Sequence, residues 1–214
     1  MSMDPSSLPG IDGPPPAYHG ASDAGHDAEA YPRTLFFALL LPRLLAERVQ
    51  TRALGWKHSL GLSGKVQIPE RQHITLCTVA RALGPMPDRS IEAARTVAAS
   101  THQSPLGVCL DRLHSFPESH ALVLTGDAHP EIVRFGRLLA DRLKAQGLEP
   151  HPCTNPHLTL LYDRRRLVPM QDVEPVHWTA REFALILSHV GKHRHEKLGS
   201  WPLSMDAPGP STPR

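Results

Sequence analysis

His73-Ile74-Thr75-Leu76 and His157-Leu158-Thr159-Leu160 repeat one pattern, H-x-T-L, in the two halves of the chain. With 14 histidines in the sequence, composition alone gives roughly 0.1 such match, and two by accident is on the order of half a per cent. Side chains alternate along a strand, so the His and Thr of each pattern share one face, roughly 6.5–7 Å apart. Ile74, Leu76, Leu158 and Leu160 take the opposite face, where helices can cover them. The repeat therefore predicts two matched strands in an internally duplicated body, each offering an imidazole and a hydroxyl to a common site.

Working outward, strand and helix patterns alternate. Thr34 to Leu41 reads as an apolar strand, and Pro42 opens a helix with Leu45 and Val49 four apart. Val66–Ile68 and His73–Val79 read as strands. Asp88 reads as the N-cap of a helix to about Ser100, with Ile91, Ala94 and Ala98 on one face. Leu106–Leu113 and Ala121–Thr125 are strands about a turn at 116–119. Pro130 starts a helix in which Ile132, Phe135, Leu139 and Leu143 form a stripe and Gly147 is the stop. His157–Tyr162, Phe183–Val190 and a short strand near Leu198–Leu203 follow. This mixture predicts an α+β protein with largely antiparallel sheet.

The chain has 214 residues, 40% hydrophobic and 21% charged, which suits a globular body and excludes a wholly disordered or fibrous one. The longest apolar run, Leu35 to Leu41, is too short to cross a membrane, and no signal or transit peptide is read at the N-terminus. Residues 1–30 carry five acids and no Lys or Arg, with the run Pro14-Pro15-Pro16, and read as a disordered tail. The expected working domain is 31–204, with a flexible tail at 205–214. Beyond residue 30 the 23 basic residues face 16 acidic ones, a balance of +7 that suits an anionic ligand such as a nucleotide or RNA. Cys77 and Cys109 read as buried free thiols of a reducing compartment, so a cytoplasmic location is expected.

Two imidazoles and two hydroxyls suit phosphodiester cleavage. One neutral imidazole takes a proton from the attacking oxygen while the other, protonated, gives one to the leaving oxygen. The hydroxyls donate to the non-bridging oxygens. The expected catalytic residues are His73 and His157 and the expected phosphate ligands Thr75 and Thr159. Nothing in the near-identical motifs says which histidine is the acid.

The doubled motif resembles the two-histidine (2H) phosphoesterase superfamily, and within it the RNA 2′,3′-cyclic phosphodiesterases, also called the 2′-5′ RNA ligase family. Thr34-Leu35-Phe36-Phe37-Ala38-Leu39 before Pro42 is similar to that branch's opening strand. Val66-Gln67-Ile68-Pro69-Glu70 resembles its approach to the first motif, Asn155-Pro156 its approach to the second, and Trp178–Ser188 the strand after it. The resemblance implies a bilobal fold with pseudo-twofold symmetry, two mainly antiparallel sheets backed by helices, and an active cleft between the lobes. It also implies hydrolysis of RNA or nucleotide 2′,3′-cyclic phosphates to 2′-phosphomonoesters without metal or cofactor. Cys77-Thr78-Val79-Ala80 and Leu161-Tyr162-Asp163-Arg164 depart from the branch's usual continuations, which concerns the residues that position substrate.

Other residues are candidates for the same site. Arg164, the first of three consecutive arginines, is a candidate phosphate contact, and Arg71 lies two residues before His73. Tyr162 is the preferred base-stacking candidate, with Trp56 and Phe116 behind it. His189, His193 and His195, and separately His151 with Cys153, lack the spaced partners of a metal site, so none is assigned. The expected partners are RNA ends or nucleotide cyclic phosphates, with no membrane and a monomeric state. The same site could serve 2′-5′ RNA ligation, cleavage of 2′-5′ oligonucleotides, or RNA binding without turnover.

Overall fold

A computed structural model of the chain describes residues 31–127 and 129–204. The expected tails at 1–30 and 205–214 lie outside the described residues. Strands are β1 (Pro32–Leu40), β2 (His73–Leu83), β3 (Leu106–Ser115), β4 (Ala121–Thr125), β5 (His151–Pro152), β6 (Leu158–Tyr162), β7 (Gln171–Ala180), β8 (Glu182–His189) and β9 (Arg194–Pro202). The α-helices are α1 (Arg43–Ser59), α2 (Asp88–Ala99) and α3 (Pro130–Ala145). Among the described residues no helix is long and apolar enough to cross a membrane.

The α+β class and the antiparallel pairing hold, but the expected two sheets are one. Its order is β7-β3-β4-β6-β2-β1-β8-β9, with β5 added beside β2. The two motif strands, β2 and β6, meet at a single registered pair, Ile74 opposite Leu158. Each motif strand is flanked by the first strand of its own β–helix–β unit: β1 beside β2, and β4 beside β6.

One face of the sheet is covered by helices and holds the main core. Ile132, Phe135, Leu139 and Leu143 of α3 are buried there as their spacing predicts, each contributing about 1.5–3 kcal/mol. Gly147, at φ +76, closes α3, and the Leu148 amide bonds back to the Leu143 carbonyl. The other face carries a smaller apolar group, Phe36, Ala38, Ala184 and Ile186.

Three local expectations are corrected, and one strand is added. Val66–Ile68 is extended but not a strand, because only the Gln67 amide finds a sheet partner, the Leu160 carbonyl. Asp88 is the first residue of α2 rather than its cap; Pro87 precedes it and no side chain caps the helix. Cys109 is exposed, since it alternates with buried Val108 and Leu110 and falls on the open face. β7 was not read from the residues: it is an edge strand with polar positions on both faces and a proline, tolerable where no partner needs its amide.

Candidate active site

Both motif strands bulge at the same place. β2 skips a residue in its pairing with β1 between Thr75 and Cys77, and β6 skips one in its pairing with β4 between Thr159 and Leu161. The fourth and fifth motif residues, Leu76-Cys77 and Leu160-Leu161, therefore both turn into the core. The sixth residue of each, Thr78 and Tyr162, is thrown onto the open face with the His and Thr. The carbonyl freed at each bulge is taken by the segment approaching the other motif: Leu76 O accepts from the Cys153 amide and Leu160 O from the Gln67 amide. The two motifs are thus joined by three separate contacts.

Continuing the Ile74–Leu158 register by one residue sets His73 across from Thr159 and Thr75 across from His157. All four line one cavity of about 350 Å³, together with Thr78 and Tyr162. The strands are neighbours in a sheet, so the cavity lies over their join. Two histidines and two threonines 84 positions apart in sequence are brought together as expected.

The rings are held alike. Nδ1–H of His73 donates to the Arg71 carbonyl at 2.7 Å, and Nδ1–H of His157 to the Asn155 carbonyl at 2.8 Å. A carbonyl can only accept, so each neutral ring keeps its proton on Nδ1 and leaves Nε2 with a free lone pair. Their surroundings differ. His73 packs on Phe36, with ring centroids 4.9 Å apart, and meets His195 edge-on at 5.3 Å. Burial pushes His73 down to about 4, the Arg71 carbonyl opposing and the charges of His157 and Arg71 adding. Burial likewise takes His195 down to about 3, helped by His73 and Arg71. His157 instead meets Phe116, edge-on at 4.8 Å.

Of the further candidates, Tyr162 and Arg71 line the cavity and Arg164 does not. The chain turns after Tyr162 about the Asp163 carboxylate, which accepts from the amides of Arg165 and Arg166 and, on its other oxygen, from Ser63 and Gly64. Burial alone would raise Asp163, but these donors outweigh it and hold the carboxyl well below its usual range. The turn carries the arginine run away; Arg166 bonds the Leu60 carbonyl at the end of α1. Trp56 lies under Arg52 on α1, away from the cavity, and Phe116 acts through its contact with His157.

His193 and His195 line the cavity, whereas His189 is buried and bonded to the Tyr31 hydroxyl at 2.7 Å. Among the described residues no group of three His, Cys, Asp or Glu is arranged to hold a metal. Residue-by-residue reading missed Phe36, Thr78 and the place of His195. Phe36 was legible as the odd residue out in an apolar strand, sharing parity with Thr34 and Ala38. Thr78 needed knowledge of the bulge.

No protein-family model matches the sequence, and no curated protein matches it. Solved structures do. The apo form of E. coli LigT superposes with a TM-score of 0.66 at 22% identity, over 81% of this chain and 98% of that one. LigT complexed with 3′-AMP gives 0.64 at 21%, over 80% and 98%. TT0787 of Thermus thermophilus gives 0.61 at 19%, over 79% and 97%. The chain therefore has the fold of LigT, spanning nearly the whole of it, with the doubled H-x-T-L motif at the centre of its sheet.

Proposed function

We propose that the protein is a 2H phosphoesterase that hydrolyses 2′,3′-cyclic phosphates of RNA ends or nucleotides to 2′-phosphomonoesters. The observation that carries this reading is the pair of Nε2 atoms, fixed in one tautomer and lining one cavity with two threonine hydroxyls. The LigT fold supports it, and the 3′-AMP complex of that protein supports a nucleotide as ligand.

In this scheme the phosphate lies against Thr75 and Thr159, whose hydroxyls donate to its non-bridging oxygens. His73, kept neutral near pH 7 by its burial, takes a proton from water as the water oxygen bonds to phosphorus. The P–O3′ bond breaks, and protonated His157 delivers its proton to O3′. The product is the 2′-phosphate, and a proton passing from His73 to His157 through solvent resets the pair. The chemistry asks for two proton carriers and no metal.

The test is incubation with a nucleoside 2′,3′-cyclic phosphate in excess chelator, followed by phosphorus NMR. A 2′-phosphate as the sole product is expected. A 3′-phosphate, loss of turnover with chelator, or no product would contradict the reading. Cleavage of a 2′-5′ bond or joining of RNA ends in parallel assays would redirect it to those substrates.

A further inference from the structure

Arg71 is a partly buried cation without an anion. It forms no ion pair with a carboxylate among the described residues. Its Nε is shielded from solvent and has no hydrogen-bond partner. Its Nη1 donates to Nδ1 of His193 at 3.2 Å, which leaves the proton of that ring on Nε2 as a second donor. An arginine shielded in this way loses hydration that only an anion or a set of acceptors replaces.

His193 is itself placed at a conformational cost. It sits in the turn between β8 and β9 with φ +52, a left-handed conformation for which glycine or asparagine is the easier choice. A bulky residue kept in that region next to a site is a sign of use. The location suggests the use. Arg71, His193, Gln67 and Tyr162 line both the main cavity and a smaller one of about 190 Å³, walled further by Lys65 and Ile68. His73, Thr75, His157 and Thr159 line the main cavity alone. Arg71 and His193 thus stand where the phosphate site opens into a second chamber.

We propose that Arg71 and His193 form a second phosphate subsite, for the phosphate on the 5′ side of the nucleoside whose cyclic phosphate is hydrolysed. The substrate class is then an RNA strand end, with two phosphates on its last nucleoside, rather than an isolated nucleoside cyclic phosphate. The inference rests on the proposed function for the identity of the first phosphate. Guanidinium and imidazole donors together suit a phosphodiester oxygen pair, and Tyr162 is on hand in the second chamber to face the preceding base.

The test is a binding measurement, independent of turnover. Dissociation constants of adenosine 2′-monophosphate and adenosine 2′,5′-bisphosphate are compared by calorimetry for the wild type, His193→Gly and Arg71→Gln. Glycine accepts the positive φ, so the first substitution does not threaten the fold. The wild type is expected to prefer the bisphosphate by about tenfold or more, and both variants to bring that ratio to within about twofold. Equal affinities in the wild type, or a ratio that survives both substitutions, would overturn the subsite. A uniform weakening of both ligands in Arg71→Gln, with the ratio intact, would assign Arg71 to the reacting phosphate and equally overturn it. If the preference and its loss are seen but no cyclic phosphate is hydrolysed, the subsite stands and the hydrolase reading falls.

Discussion

His73 sits among Phe36, His195 and Arg71, whereas His157 has the edge of Phe116 beside it. The motifs are twins in sequence, and in the proposed mechanism this difference in neighbours makes His73 the base. A histidine pushed down to about 4 is neutral at pH 7 and suited to accept a proton. The acid limb of kcat/KM should therefore lie near pH 4, with activity rising through that value and level above it until the acid deprotonates. A pH–rate profile checks this, and an acid limb near 6.5, the ordinary histidine value, would contradict the assignment. The four motif residues were legible because their types and spacing carry the chemistry directly. Arg164 was a poorer choice than Arg71 because sequence proximity to a motif does not say which way a turn runs; Asp163 decides that here. His195 was visible only as one of three nearby histidines; on β9 it pairs with cavity-lining Ser188, whereas buried His189 is the next residue along β8 and takes the other side.

At the scale of elements, the bulges do most to shape the site. They turn Thr78 and Tyr162 toward the cavity and free a carbonyl on each strand for the opposite half. The core side of the β2 bulge lies under α3, where a Cβ on Gly136 would come within 2.4 Å of the Leu76 carbonyl oxygen. Gly136→Ala must therefore push α3 or β2 aside, at about 1–3 kcal/mol. We expect a lower Tm together with reduced turnover, because the displaced strand carries His73 and Thr75. Gly55→Ala on α1, with nothing within 4 Å of its Cβ, should instead leave the protein as stable or raise its stability by about 0.4–1 kcal/mol. Equal thermal shifts for the two would contradict the packing described. Helices and core strands were readable from periodicity, α3 above all. β7 was not, since its first half is an edge segment with exposed polar positions and a proline, and the 66–68 segment is extended through one long-range hydrogen bond that no local pattern encodes.

For the whole molecule, the expectation of an internally duplicated α+β body came from the doubled motif, while the joining of its halves into one sheet came only with the structure. On the open face His73 and His195 are half-buried against each other and Phe36, with consequences for stability. Both are held below the unfolded value of about 6.5, so the unfolded chain binds more protons between that value and the folded ones of about 4 and 3. Their contribution is complete above pH 6.5 and is lost as pH falls toward 4, on the order of 1–2 kcal/mol per ring by pH 5. Asp163, held low, adds a loss in the same direction only below about pH 4. Urea unfolding at pH 7.5 and pH 5 should show the drop, and its persistence in a His73→Gln, His195→Gln variant would contradict this origin. The claim beneath the whole account is that two imidazoles from opposite halves act together on one phosphorus. It is tested most directly by the rates of His73→Ala, His157→Ala and the double variant on a nucleoside 2′,3′-cyclic phosphate. Each single change should cost about 10²- to 10⁴-fold, and the double variant little more than the worse single, as for groups acting as a unit in one step. Wild-type rates in either single variant, or losses that multiply in the double, would contradict it.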